Sequence, residues 1–106
     1  MGNTADAVKA SSAVVYSVVI DNSANAGAAS YIKLYNLAAG SVVVGTSAPD
    51  ELIYVPQGAV ITHVLFTGAA PGKTFGTALS ATCTTTGGTA GVTSPSSNCS
   101  VTINFK

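Results

Sequence analysis

The stretch AVVYSVVIDNSANAGAASYIKLYNL, residues 13–37, holds two strand-like segments separated by a turn-rich one. Residues 13–22 are rich in Val and Ile, whose branched β-carbons favour extended backbone. Residues 30–37 alternate, with Ile32 and Leu34 on one face, which is typical of a half-buried strand. The Asp, Asn, Ser and Gly residues between them favour turns. This stretch therefore predicts two neighbouring strands of a sheet.

The rest of the chain continues in the same manner, with short apolar segments at about ten-residue spacing and turn residues between them. No segment shows a sustained 3.6-residue apolar period with helix caps. Such a pattern predicts an all-β fold, an antiparallel β-sandwich of seven or eight short strands, either jelly-roll or immunoglobulin-like. The further predicted strands are residues 41–45, 51–55, 59–67, 77–86 and 99–105.

The chain of 106 residues is long enough for a single hydrophobic core. Residues 1–12 are small and polar with no sustained period, and they are predicted to form a flexible N-terminal arm. Residues 13–106 are predicted to form the single β-sandwich domain. Residues 1–10 lack the basic and apolar regions of a secretion signal, which indicates synthesis in a cytoplasm or a leader already removed.

Ionisable side chains are scarce in this chain. It has no Arg and no Trp, only four Lys, four Asp or Glu and one His, and a formal net charge of zero. Nucleic-acid binding needs a concentrated basic face, which four scattered lysines do not supply. No apolar run approaches the roughly 20 residues of a membrane-spanning helix. Near-zero charge weakens the repulsion between protein molecules and suits a component of an assembly.

The few candidates for chemistry are better explained structurally. His63 lies in a predicted strand without a catalytic motif around it, and is interpreted as an edge or subunit-contact residue. The adjacent acids Asp50 and Glu51 would point to opposite faces of an extended chain, so they are interpreted as a solvated loop end. Residues 68–74 end in Gly-Lys-Thr, but the spacing does not fit a phosphate loop. Asp21 offers a single carboxylate, too weak a calcium site. No catalytic residue, cofactor or metal is predicted, and the chain is not expected to be an enzyme.

Cys83 and Cys99 are the only cysteines. Both fall on the apolar face of a predicted strand, and the two strands are the natural partners of a hairpin. Either a disulfide or two buried thiols fits this placement. A metal site is disfavoured because the spacing does not match paired zinc ligands.

Five short strand and turn segments form a recognisable series along the chain. They are IDNSAN (20–25), YIKLY (31–35), GTSAPD (45–50), FGTAL (75–79) and TTGGTAG (85–91). Together they resemble small structural proteins of tailed bacteriophages, particularly cyanophage-like ones, which sit on the virion as decoration, cement or tail-associated β-domains. The likeness extends over about residues 13–105.

This resemblance implies a non-enzymatic capsid decoration or cement protein, which stabilises the coat lattice by burying surface. The implied partners are the major capsid protein or another virion protein and further copies of the chain, with a trimer favoured. The implied location is the virion, after synthesis in the bacterial host cytoplasm. Residues 1–12 would become ordered in a groove between coat subunits. The alternative is a tail, fibre or adhesin-type β-domain that binds a host glycan or another tail protein.

The tyrosines are the predicted anchors of such contacts, because tyrosine is enriched at protein interfaces. On residues 30–37, the face that carries Lys33 suits a wet surface or an interface rim. The same tyrosines can equally be half-buried strand residues. The candidate interface residues are Tyr16, Tyr31, Tyr35, Tyr54 and His63.

Overall fold

A computed structural model describes residues 1–106 as ten β-strands and one short 3-10 turn at Ala39–Ser41, with no α-helix. The all-β class is thereby confirmed, while the strand count is ten instead of seven or eight. The strands are β1 (Asp6–Lys9), β2 (Ala13–Asp21), β3 (Ser30–Tyr35), β4 (Glu51–Val55), β5 (Val60–Val64), β6 (Phe66–Thr67), β7 (Ala70–Pro71), β8 (Lys73–Phe75), β9 (Leu79–Thr84) and β10 (Ser100–Phe105).

The strands form two main sheets in which every pairing is antiparallel. Sheet A has the order β1-β9-β3-β4. Sheet B has the order β10-β2-β5, and β8 also pairs with β2. Strands β6 and β7 form a separate small hairpin. The jelly-roll or immunoglobulin-like assignment stays a prediction.

Both sheets contribute to one core of 14 buried residues. Ile32 and Leu34 come from sheet A, as their alternation predicts, and Val15 and Val18 come from sheet B. The two valines can face the same core because the pairing of β2 with β10 skips Tyr16, which forms a bulge. The extra residue restores the inward direction of the second half of β2.

The predicted strand at residues 41–45 is wrong. Its backbone groups bond locally: Thr46 and Ser47 amides donate to the Val43 carbonyl, and the Val43 amide donates to Ser47 Oγ. The side chain of Val43 is exposed. Three consecutive valines favour extended backbone, but a serine four residues on offers the chain a competing turn.

The predicted strand at residues 59–67 is divided in two. Strand β5 ends at Val64, and the buried Leu65 separates it from the β6–β7 hairpin. The hairpin reverses at Gly68, whose φ of +59° is one that glycine adopts without strain. Residues 68–76, for which no strand is predicted, contain both β7 and β8.

The N-terminal segment differs from the flexible arm that its composition indicates. Residues 6–9 form β1, the edge strand of sheet A, beside β9. Met1 and Val8 pack against the core, and the Gly2 carbonyl accepts a hydrogen bond from the Cys83 amide. Long-range pairing gives this segment an order that a local reading of small polar residues does not reveal.

Strands β9 and β10 are not hairpin partners, which corrects the predicted pairing. β9 lies in sheet A between β1 and β3, whereas β10 lies in sheet B beside β2. Cys83 and Cys99 are joined in a disulfide, with Cα atoms 6.7 Å apart. The bond therefore links the two sheets and not two neighbouring strands of one sheet.

Candidate interaction surface

A charged cluster closes one side of the molecule, where β4 of sheet A meets β5 and β8 of sheet B. Lys73 Nζ lies 2.9 Å from Glu51 Oε2, and His63 Nε2 lies 3.5 Å from Glu51 Oε1. Lys73 also donates to the Asp50 carbonyl, and Asp50 Oδ2 accepts a hydrogen bond from the Asn36 amide. Glu51 is thus a bridge between the sheets.

The contacts of this cluster join sheet A to sheet B, which is a structural role. Asp50 is the exposed loop end that the sequence indicates, whereas the Glu51 side chain is only 24% exposed and lies against Lys73 and His63. Lys73 belongs to the Gly-Lys-Thr sequence at residues 72–74. Besides these contacts, its Nζ lies 5.9 Å from the centre of the Phe75 ring. The sequence did not place the three side chains together, since they lie on three separate strands.

The outer face of sheet A is covered along β3 and β9, whereas Leu52 and Tyr54 of β4 are exposed on it. Lys33, predicted on a wet face, is fully buried, and its Nζ donates to the Gly91 carbonyl at 2.7 Å. Burial lowers the pKa of the Lys33 ammonium below its ordinary value of 10.5, because desolvation disfavours the charged form. Residue 91 belongs to the long loop that follows β9, so this loop forms a lid over the sheet.

The candidate tyrosines have different surroundings. Tyr35 is fully buried on the same face, 3.5 Å from the Thr82 hydroxyl, which removes it from the surface that a partner could reach. Tyr54 is 54% exposed, and its ring lies 5.3 Å from that of the half-buried Tyr31. Tyr16 is half-buried at the bulge of β2. Tyr54 and Tyr31 thus present the one aromatic pair on the surface.

The Asn-rich turn after β2 is a buried hydrogen-bond network. Asn22 Oδ1 accepts from Asn25 Nδ2 and from the Ser30 hydroxyl, and Asn25 Oδ1 accepts from the Ser97 amide. At the exposed Asp21, hydrogen bonds from Ser23 hold the carboxyl pKa below its ordinary value. These oxygens already accept hydrogen bonds from protein donors. The segment is therefore better described as a turn than as a calcium site.

One polar cavity of 460 Å³ opens beside the N-terminal segment. Its single carboxylate belongs to Asp6, and its other polar side chains are hydroxyls and amides. It contains no side chain that acts as a nucleophile next to a base. The lining residues are Met1, Gly2, Asn3, Thr4, Asp6, Ser94 and Asn98.

The outer face of sheet B is uncovered and carries three exposed valines, Val19, Val60 and Val64. Val19 lies directly opposite Thr62 of β5 and Thr102 of β10, so the three side chains share a face. Val60 and Val64 flank Thr62 on that face and are 61% and 53% exposed. We call these five residues the sheet B face. The same face also carries one charged side chain, because Asp21 lies directly opposite Val60 and next to Ser100.

Comparison with known proteins gives no assignment: no family model, no curated protein and no solved structure matches this chain. The structure has no helix that is long and apolar enough to cross a membrane. No group of three or more His, Cys, Asp or Glu side chains is arranged to hold a metal ion.

Proposed function

We propose that this chain is a non-enzymatic phage virion structural protein that decorates the capsid and stabilises the coat lattice. The observation that carries the proposal is the sheet B face, a flat Val/Thr surface that no segment of the chain covers. Exposed contiguous apolar patches of this kind are typical of protein–protein contact sites. The major capsid protein is the proposed partner.

The construction of the body supports a role that depends on surface burial. A disulfide and a charged cluster each join the two sheets, on different pairs of strands. A rigid surface loses less conformational entropy when it binds. A formal net charge of zero adds little repulsion when many copies lie side by side on a shell.

Binding to bare capsids of the phage that encodes the chain tests the proposal. Val60 and Val43 are 61% and 59% exposed, but only Val60 lies on the sheet B face. We expect Val60→Glu to abolish co-sedimentation with the capsids and Val43→Glu to leave it intact, because a glutamate at position 60 lies opposite Asp21, has no cationic partner and is costly to bury. Co-sedimentation that is absent in the unaltered protein, or equal in both variants, would contradict the proposal.

A second candidate function is that of a tail or fibre β-domain which binds a host glycan. The exposed Tyr54 ring, supported by Tyr31, is the observation in its favour, since aromatic rings provide an apolar body with a polar tip. Glycan binding by the isolated protein that Tyr54→Ala removes would favour this function. The same variant is expected to leave capsid binding unchanged, because Tyr54 lies on sheet A.

A further inference from the structure

The two main sheets have five edge strands, and four of them carry features that disfavour pairing with another chain. Strand β8 has only three residues and begins with Lys73. Strand β1 has four residues, two of them charged, and an irregular register between Ala7 and Lys9. Strand β4 begins at Glu51 and is followed by Pro56. Strand β5 carries His63, which faces the Glu51 carboxylate. Charges, proline and irregular pairing are the usual protections of a sheet edge.

Strand β10 has none of these protections. Its sequence SVTINF contains no charge, no proline and no glycine, and it extends over six residues. It pairs only with β2. The bulge in this pairing lies at Tyr16 of β2, so β10 itself remains a regular strand. Its outer edge is therefore a straight, uncharged row of backbone groups, ready to accept another strand.

We propose that a second copy of this chain pairs with this edge, β10 antiparallel to β10, around a two-fold axis. A self-complementary strand edge is the simplest isologous interface. The pair would join the two B sheets into one sheet of the order β5-β2-β10-β10-β2-β5. This inference does not depend on the proposed function, because it requires only a second copy of the chain.

Side-chain direction restricts the register of this pairing. The core-facing residues of both copies must stay on one side, so directly opposed residues must share a face. The register that places Ile103 opposite Ile103 of the second copy satisfies this condition. It also places Phe105, which is 38% exposed in the single chain, opposite Val101 of the second copy. Two partly exposed phenylalanines thus gain apolar neighbours.

Charge supports the same register. Asp21 and Lys106 lie at opposite ends of the sheet, because Ser100 pairs with Asp21 and Lys106 bonds to Val14. In the proposed register Lys106 of one copy lies opposite Ser100 of the other, next to Asp21. The small serine lets the lysine reach the carboxylate, and the two-fold axis generates this contact twice. A parallel arrangement would instead bring the two lysines together.

Light scattering coupled to size exclusion tests the pairing. We expect the unaltered protein to show twice the chain mass of 10.4 kDa. Thr102→Lys/Asn104→Lys should raise the dimer dissociation constant by about tenfold or more, because residue 102 of each copy lies opposite residue 104 of the other and like charges would meet. Thr62→Lys/Val64→Lys adds the same charge to the same face on β5 and serves as the control.

A mixing experiment separates specific pairing from general charge repulsion or misfolding. The variant Thr102→Glu/Asn104→Glu should also be a monomer by itself. Mixed with the doubly lysine-substituted chain, it should form a dimer that contains one copy of each, since every opposed pair then carries opposite charges. Such a heterodimer also requires that both variants fold.

Three outcomes would overturn the inference. The first is an unaltered protein that remains monomeric from micromolar to millimolar concentration. The second is a trimer, as the sequence resemblance implies, that the changes in β10 leave intact. The third is a dimer that the β5 control variant disrupts and the β10 variant does not, which would assign the interface to the other edge of sheet B.

Discussion

The outer faces of the two sheets differ in how far the rest of the chain covers them. The face of sheet A is covered along β3 and β9, and Lys33 and Tyr35 are fully buried there. The face of sheet B is bare, and Val60 and Val64 are more than half exposed. On these two outer faces a lysine is therefore buried while two valines are exposed, the reverse of the usual distribution of these residue types.

The exposed valines are the reason for placing the proposed contact site on sheet B instead of sheet A. A covered face has satisfied its polar groups internally, as the bond from Lys33 to the Gly91 carbonyl shows. A bare valine face gains free energy only when another molecule covers it. The long loop after β9 thus covers Lys33 on sheet A, whereas no segment of the chain covers Val60 and Val64 on sheet B.

The disulfide links the two sheets, and its removal should have the largest effect on stability. Changing both Cys83 and Cys99 to Ala should lower the free energy of unfolding by about 3 kcal/mol, because the bond closes a loop between residues 16 apart. Urea unfolding of the variant and the unaltered protein measures this. Equal unfolding midpoints would show that the bond does not hold the sheets together.

A substitution at Gly91 should displace the loop that covers Lys33 on sheet A. A Cβ at Gly91 would overlap the Thr86 carbonyl, so Gly91→Ala should displace the loop and cost about 1–3 kcal/mol. The displaced loop should also expose Lys33 to acylation, read by mass spectrometry. Gly40→Ala is the control, since its Cβ would meet nothing within 4 Å. Unchanged Lys33 labelling in Gly91→Ala would contradict the role of the loop as a cover.

The buried ammonium of Lys33 should make stability depend on pH. Because burial lowers its pKa in the folded protein, the unfolded chain binds the proton more tightly. The free energy of unfolding should therefore rise with pH between the lowered pKa and 10.5. Lys33→Met should remove this rise, so the difference between the two proteins at each pH isolates it from the tyrosines. If the free energy of unfolding of the two proteins changes equally with pH, Lys33 does not carry a buried charge in the folded protein.

The bare face should tolerate substitution in the single chain. Val60→Thr should change the free energy of unfolding by less than about 0.5 kcal/mol, because the side chain is 61% exposed. Unfolding is best measured at a concentration where the protein is monomeric, with Val43→Thr as the control. A larger loss for Val60→Thr alone would mean that the face already packs against something.

Much of the fold could be read from local patterns. The alternation at residues 30–37, the valine-rich segment at 13–22 and the strand at 99–105 predicted real strands, because side chains on a pleated backbone reveal their face every second residue. The predicted strand boundaries were wrong at residues 41–45, which form no strand, and at residues 59–67, which form two. There a serine hydroxyl or a buried leucine altered the course of the backbone.

The candidate site was less accessible to such reasoning. Glu51, His63 and Lys73 meet only because three strands from both sheets converge. Tyr35 and Tyr54 have similar strand contexts, yet one is buried and the other exposed. The one sequence feature that could have predicted a covered sheet face is the length of the loop between Cys83 and Cys99, which is long enough to cross a sheet.

The sequence by itself determined the all-β class, the antiparallel pairing and the scarcity of ionisable groups, because these depend on side-chain types and their spacing. Only the tertiary structure decided which strands are neighbours, which sheet face is covered and which edge is left without protection. Those features depend on contacts between residues far apart in the chain, such as Lys33 with Gly91. Local propensity carries no information about such pairs, since their energies appear only when the chain has folded.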